Sequence, residues 1–219
     1  MQSVDLSTEK TRHRLLNAAG QVFAEKGFRG ATIREICDRA GANIASVNYY
    51  FHDKEELYRL VLDYAHSRVG EHVLHAVRDV SDAAPEEKLR AFVRAHLLSL
   101  LGTDGPPSWF STLVTREMIE PTHLQRDMVE NEIRPRFEVL TGIIGEILGP
   151  LATAEQLRHC ALSVVSQSVF YKLASPVIRV LQPEQSYSSA DLEVLADHIA
   201  EFSVAGIRNV RSHMERNKG

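Results

Sequence analysis

Residues 32–51 read TIREICDRAGANIASVNYYF, and the order of residue types in this stretch decides the fold. Thr32 followed three residues later by Glu35 is a capping-box start. Ile33, Ile36, Cys37 and Ala40 then recur at helical spacing, and Gly41 is suited to end the turn. Asn43 can cap a further short helix running to about Tyr50. A helix of about eight residues, a glycine-containing turn and a second short helix form a helix-turn-helix pattern. On the second helix, Ile44, Val47 and Phe51 fall to one side, where they are expected to pack on Ile36 and Ala40. Ala45, Ser46, Tyr49 and Tyr50 fall to the other, with Asn48 on the flank. Small side chains there allow close approach, and hydroxyls can donate to phosphate oxygens or reach base edges. Arg34 and Lys54 stand in the first turns of their helices, where an added cation and free backbone N–H groups hold phosphate together. By spacing alone the motif is equally compatible with two short helices packed only for stability.

Working outward, nearly every segment has helical periodicity. Leu15, Leu16, Ala19, Val22 and Phe23 line one face of a first helix that stops at Gly27. Asp53 with Glu56 opens a long helix to about Val80, and Ala84-Pro85 opens another through Leu101. A loop is expected at Gly102–Pro107, then a helix from Ser108 to about Ile119. A long helix from about Thr122 to Leu148 should kink at Pro135. Residues 153–174 form an apolar helix halted by Pro176, and after a loop at Pro183–Ser188 the last helix runs from Ser189 to about Ser212. No alternating β pattern of useful length occurs. The expected fold is all-α with about nine helices.

Composition bounds the function. The chain has 219 residues, 44% hydrophobic and 25% charged, enough for a sizeable core without staples. No apolar run reaches the roughly 18 residues of a membrane span. The polar start, Met1 to Lys10, lacks the apolar stretch of an export signal. Two cysteines, Cys37 and Cys160, are too few for a disulfide framework, so a cytoplasmic location is expected. The net charge of −4 is unevenly spread: residues 1–52 carry seven Lys/Arg against five Asp/Glu, which leaves the acidic excess in the rest. A basic head on an acidic body suits a protein that offers one end to phosphate.

The segment from Thr11 to Leu62 resembles the N-terminal domain of the TetR family of transcriptional regulators. The resemblance rests on FAEKGF at Phe23–Phe28, TIREI at Thr32–Ile36, AG at Ala40–Gly41, YYF at Tyr49–Phe51 and KEEL at Lys54–Leu57. Within that family GANIASVNYYF is similar to the CecR-type subgroup. So are REMIEPT at Arg116–Thr122, IRPRF at Ile133–Phe137 and PVI at Pro176–Ile178. The resemblance implies a homodimer that binds a near-palindromic operator as a repressor, with a C-terminal half that senses a small molecule. It implies DNA contacts from Thr32, Arg34, Asn43, Ala45, Ser46, Asn48, Tyr49, Tyr50 and Lys54, and a division into a reading domain, 1–53, and a sensing and dimerisation domain, 54–219. Many members have Lys where Ile44 stands, Tyr at Asn48 and His at Tyr50, so operator sequence does not carry over.

The C-terminal half gives a broader signal. Leu157, Cys160, Ala161, Val164, Val165, Ser168, Val169 and Leu173 make a wide stripe on 153–174. Leu192, Leu195, Ala196, Ile199, Phe202 and Ile207 make another on the last helix. Stripes this wide suit helices covered on more than one side. The resemblance assigns helices 153–174 and 189–212 to the homodimer interface; burial within one subunit is the simpler alternative. Apolar walls with a few polar groups make a ligand pocket. The candidates for a small apolar or amphipathic effector are Phe92, His96, Trp109, Phe110, Arg116, Met118, Phe137, Gln167 and Tyr171. No catalytic motif and no cofactor fingerprint occurs, and the pairs His72/His75 and Asp197/His198 lack the third partner a metal site needs. Two rival readings are a helical enzyme and a DNA-binding protein controlled by a protein partner.

Overall fold

The computed structural model describes residues 2–102 and 109–217, apart from the side chains of 2–8, 66, 68 and 69. The loop expected at Gly102–Pro107, after its first residue, and the expected helix start at Ser108 lie outside the described residues. Among those described there are no strands and eleven α-helical segments. In chain order they are α1 (Gln2–Gly30), α2 (Ile33–Ala40), α3 (Ile44–Phe51), α4 (Lys54–Arg78), α5 (Pro85–Leu101) and α6 (Trp109–Ile119). There follow α7 (Gln125–Met128), α8 (Arg134–Leu148), α9 (Ala154–Leu173), α10 (Ser175–Leu181) and α11 (Ser189–Arg216). The all-α expectation holds. The two segments beyond the expected nine are α7, split from a helix foreseen as one, and α10, which was not foreseen. No single helix among the described residues is long and apolar enough to cross a membrane.

The helices divide into two compact units. The first contains residues up to 68 and 109–129; the second contains 69–102 and the chain from 130 onward. In the first unit the apolar stripe of α1 is buried as the spacing requires: Leu15, Ala19, Val22 and Phe23 have no exposed surface. Ile36, Val47, Phe51, Leu57 and Val61 are equally buried, and Phe110 and Leu113 of α6 complete this core. Burying each such side chain is worth about 1.5–3 kcal/mol. Helical geometry in α1 breaks at Gly27, whose φ of 70° and ψ of 173° suit a residue without Cβ. Gly41 plays the same part after α2, at φ 60°, its N–H donating to the Asp38 carbonyl. Gly20 meets a different need: a Cβ there would lie 2.3 Å from the Trp109 ring.

The second unit packs α5, α8, α9 and α11 together around Leu89, Val93, Leu97, Leu140, Ile144, Ala161, Ala196 and Ile199. Two full capping boxes, Thr153 with Gln156 and Ser188 with Asp191, begin α9 and α11. The helix expected from Thr122 to Leu148 is not one kinked α-helix. A π-helical segment at Val129–Ile133 separates α7 from α8, and Pro135 falls in the first turn of α8, where its missing N–H leaves no interior bond unmade. Pro176 is a further correction. It ends α9 but also starts α10, and the two helices are bent by 75°.

Candidate nucleic-acid interface

The second helix of the motif stands out from its unit. Val47 and Phe51 anchor α3 with no exposed surface, while Ala45, Asn48 and Tyr49 on the opposite side are open to solvent and Tyr49 is 74% exposed. Thr32, Arg34 and Asn43 are exposed as well, and Ser46, Tyr50 and Lys54 are half-buried. The nine residues expected to contact DNA thus all retain accessible surface. Asn43 caps α3, its Oδ1 accepting from the Ala45 N–H at 3.0 Å, and Thr32 caps α2 by accepting from the Glu35 N–H at 3.2 Å. Asp53 Oδ1 accepts from the Glu56 N–H at 2.8 Å at the start of α4. The Tyr49 and Tyr50 rings meet edge to face at 4.9 Å, and Tyr50 in turn leans on Phe51 at 6.0 Å. The exposed ring is thereby braced by buried ones.

One side chain is not where the wheel put it. Ile44, expected inward, is 48% exposed. It occupies the first turn of an eight-residue helix, beyond the buried face of α2, so the apolar contact begins one turn later at Val47. Ile44 therefore adds an apolar group to the outward surface.

Three features of this surface have no signal in the residue pattern. His52 closes α3 at φ 63°, alone among non-glycine residues described in adopting positive φ, and its N–H donates to the Asn48 carbonyl. Such a conformation is strained by about 1–3 kcal/mol. It lets the chain turn from Phe51 into α4 within two residues, which places Lys54 beside α3. The Lys54 ammonium lies 4.8 Å above the Phe28 ring, and burial lowers its pKa from the ordinary lysine value. Arg12 likewise stands over Phe51 at 5.8 Å.

Residues 116–122 support this reading head. Glu117 is wholly buried and accepts three hydrogen bonds: from the Tyr58 hydroxyl at 2.7 Å, the Thr122 N–H at 2.7 Å and the Thr122 hydroxyl at 2.6 Å. Three converging donors are what a carboxylate out of water requires. The same pairing, with burial acting most strongly, holds the Tyr58 phenol far above the usual tyrosine range. Arg116 donates to the Ala24 and Glu25 carbonyls at 3.2 and 3.1 Å and pairs with Glu120 at 3.0 Å. It closes the end of α1 near Gly27. A bidentate pair from Arg39 to Glu25, at 2.6 and 2.8 Å, ties α2 to the same place.

The nine expected pocket residues are not brought together. Trp109, Phe110, Arg116 and Met118 belong to the first unit, and Phe92, His96, Phe137, Gln167 and Tyr171 to the second. Trp109 donates to Asn17 at 2.9 Å, and Phe110 packs on Tyr64 at 5.4 Å, so both act as core. Arg116 is engaged as described, and Met118 is 45% exposed. In the second unit Gln167 donates to Ser203 at 3.0 Å, bridging α9 and α11. With Tyr171, Phe170, Ile178 and Leu181 it lines an open groove of about 500 Å³. Phe92 is buried, while His96 and Phe137 are half-buried. Among the described residues no group of three or more His, Cys, Asp or Glu could hold a metal ion. Asp197 faces Arg90 at 3.3 Å, and His75 faces Asp79 at 3.9 Å.

Comparison with known proteins places these features. Residues 15–61 match the bacterial regulatory proteins of the tetR family, and residues 85–207 match the C-terminal domain of the HTH-type transcriptional dual regulator CecR. The chain is 27% identical over 187 residues to the CecR regulator of Shigella flexneri, covering 80% of this chain and 82% of that one. It is 24% identical to the HTH-type transcriptional repressor NicS of Pseudomonas putida, over 93% of each. Its fold is similar to that of AibR, solved with isovaleryl coenzyme A and operator DNA, with a TM-score of 0.68 at 18% identity, covering 88% of this chain and 97% of that one.

Proposed function

The chain is a member of the TetR family of bacterial regulatory proteins, of the CecR type, and on that premise we propose that it is a cytoplasmic repressor that binds a palindromic operator as a homodimer and releases it when a small molecule binds. A DNA-binding regulator and not an enzyme is what the family supplies; the rest is our reading. The observation that carries it is the open outward side of α3, with Ala45, Asn48 and Tyr49 accessible over a buried Val47 and Phe51. Thr32, Arg34, Asn43, Ser46, Tyr50 and Lys54 are the further contacts we assign. The exposed Ile44 can meet a thymine methyl group. Residues 1–53 read DNA in this scheme, and 54–219 sense and pair.

Pairing is supported by apolar side chains left in water on the last three helices. Leu162 and Phe170 of α9 are 57% and 60% exposed, Val180 and Leu181 of α10 are 80% and 74%, and Phe202 of α11 is 67%. A second copy covering α9 and α11, and with them α10, would remove that surface from water. AibR was solved with both an acyl coenzyme A and operator DNA, which supports a small-molecule partner here. Ligand would favour a tilt of α4, whose Tyr58 is bonded to Glu117 of α6, and so move the paired reading helices out of step with major grooves about 34 Å apart.

Selection of bound fragments from random DNA by the purified protein tests this. The expected product is a palindrome with half-sites one helical turn, or a multiple of it, apart. Recovery of no preferred sequence overturns the reading of α3, and recovery of an unpaired half-site overturns the symmetry. Operator affinity unchanged by a ligand that demonstrably binds overturns release.

A further inference from the structure

A pair of cationic and polar side chains lies deep in the second unit. His96 of α5 has its ring 5.9 Å from that of Phe92, and its Nδ1 is buried with no hydrogen-bond partner. Arg136, in the first turn of α8, donates from Nε to the Glu132 carbonyl at 3.0 Å. Burial, first, and then the charge of Arg136 push the His96 pKa down to about 4, and burial lowers that of Arg136. Both side chains nevertheless keep accessible surface. Groups surrounded by protein on most sides that still touch solvent-sized space are walls of a recess. Gly70 of α4, buried and without a side chain, leaves its backbone facing the Arg136 Cδ and Glu132 Oε2, each 3.8 Å from where a Cβ would stand. Phe92 and Phe137 belong to the apolar core beside these residues.

A neutral imidazole buried with an idle nitrogen is costly unless something comes to it. A guanidinium out of water demands negative charge, and its five N–H donors in a planar fork can serve Glu132 on one edge and a second anion on another. We infer that the effector carries an anionic group, carboxylate or phosphate, on an apolar body, and that His96 and Arg136 receive that group. The inference rests on the sensing function proposed above and names the chemistry of its ligand. In the tautomer with its proton on Nδ1, the histidine donates to the anion. Glu132 is the internal competitor for Arg136, which tunes affinity downward and keeps the recess from filling with any small anion.

Isothermal titration of the full-length protein with decanoate, decyl phosphate and decanol separates the possibilities. One of the two anions is expected to bind at least about tenfold tighter than decanol, the factor a charge-assisted bond supplies, and which one binds distinguishes carboxylate from phosphate. Arg136→Met is expected to erase that preference, and Glu132→Gln to raise anion affinity severalfold. His96→Phe, a milder change should Arg136→Met unfold, is expected to reduce the preference while leaving decanol unaffected. Equal affinity for decanol and the anions overturns the anion site but leaves sensing of an apolar effector standing. Failure of both anions to bind at about 1 mM also overturns the site. If an anion binds and operator affinity does not move, the failure lies in the sensing reading alone.

Discussion

Glu117 in the first unit and His96 in the second are both polar side chains taken out of water, yet their surroundings differ. Glu117 meets three donors, from Tyr58 and Thr122, within 2.7 Å. His96 Nδ1 meets none, and in the same unit the Ser168 and Tyr187 hydroxyls are also buried without partners. The contrast extends to apolar surface, since α9, α10 and α11 carry most of the large exposed hydrophobic side chains. A reading head must hold its shape before it meets DNA, because a loose helix would lose affinity in ordering itself. A unit that binds a ligand and a second copy of itself has contacts still to be made. The difference is one between a surface presented and a surface awaiting cover.

The contrast can be broken at its strongest point by Phe170→Glu with Phe202→Glu. If the apolar face is covered by a second copy, two buried charges should raise the dimer dissociation constant by at least about a hundredfold, measured by sedimentation equilibrium. A wild-type monomer at micromolar concentration would remove the idea of a face awaiting cover. The next effect concerns His96. Its pKa is about 4 in the folded protein against 6.5 in the ordinary state, so below pH 6.5 the unfolded chain takes up a proton that the folded one refuses. Stability should be intact above that range and fall as pH drops toward 4, by up to about 3 kcal/mol in urea unfolding. His96→Leu should flatten the slope in that window.

Tyr58→Phe tests the satisfied side. Removing one of three donors from buried Glu117 should cost about 1.5–3 kcal/mol, seen as a lower urea midpoint with unchanged slope. A loss below about 0.5 kcal/mol would mean that Glu117 is less dependent on its partners than the geometry implies. The smallest effect on stability belongs to Tyr49→Ala. An exposed ring should alter unfolding by no more than about 0.5 kcal/mol, while operator binding in a gel-shift assay weakens by about tenfold.

Several features were legible in the residues because their causes are local. Thr32, Gly41, Asn43 and Asp53 act on backbone groups within four positions, and the α1 stripe at Leu15, Ala19, Val22 and Phe23 declares its buried face by spacing alone. Ile44 misled because a wheel assumes that the whole face is covered, and α3 overhangs its support. Arg116 misled for a different reason. Its charge beside apolar neighbours resembles a pocket group until the carbonyls of Ala24 and Glu25 are seen beneath it. His52 gave no sign, since positive φ is ordinarily the province of glycine.

The amino-acid order by itself determined the helices, their caps and the two-faced character of residues 44–51, because each depends on neighbours one or two turns away. Only the tertiary structure decided that Glu117 answers Tyr58 across 59 residues, that Arg116 closes α1 across more than 90, and that His96 is left without a partner. Whether a buried polar group is satisfied depends on what distant chain delivers to within about 3 Å of it, and no periodicity encodes that.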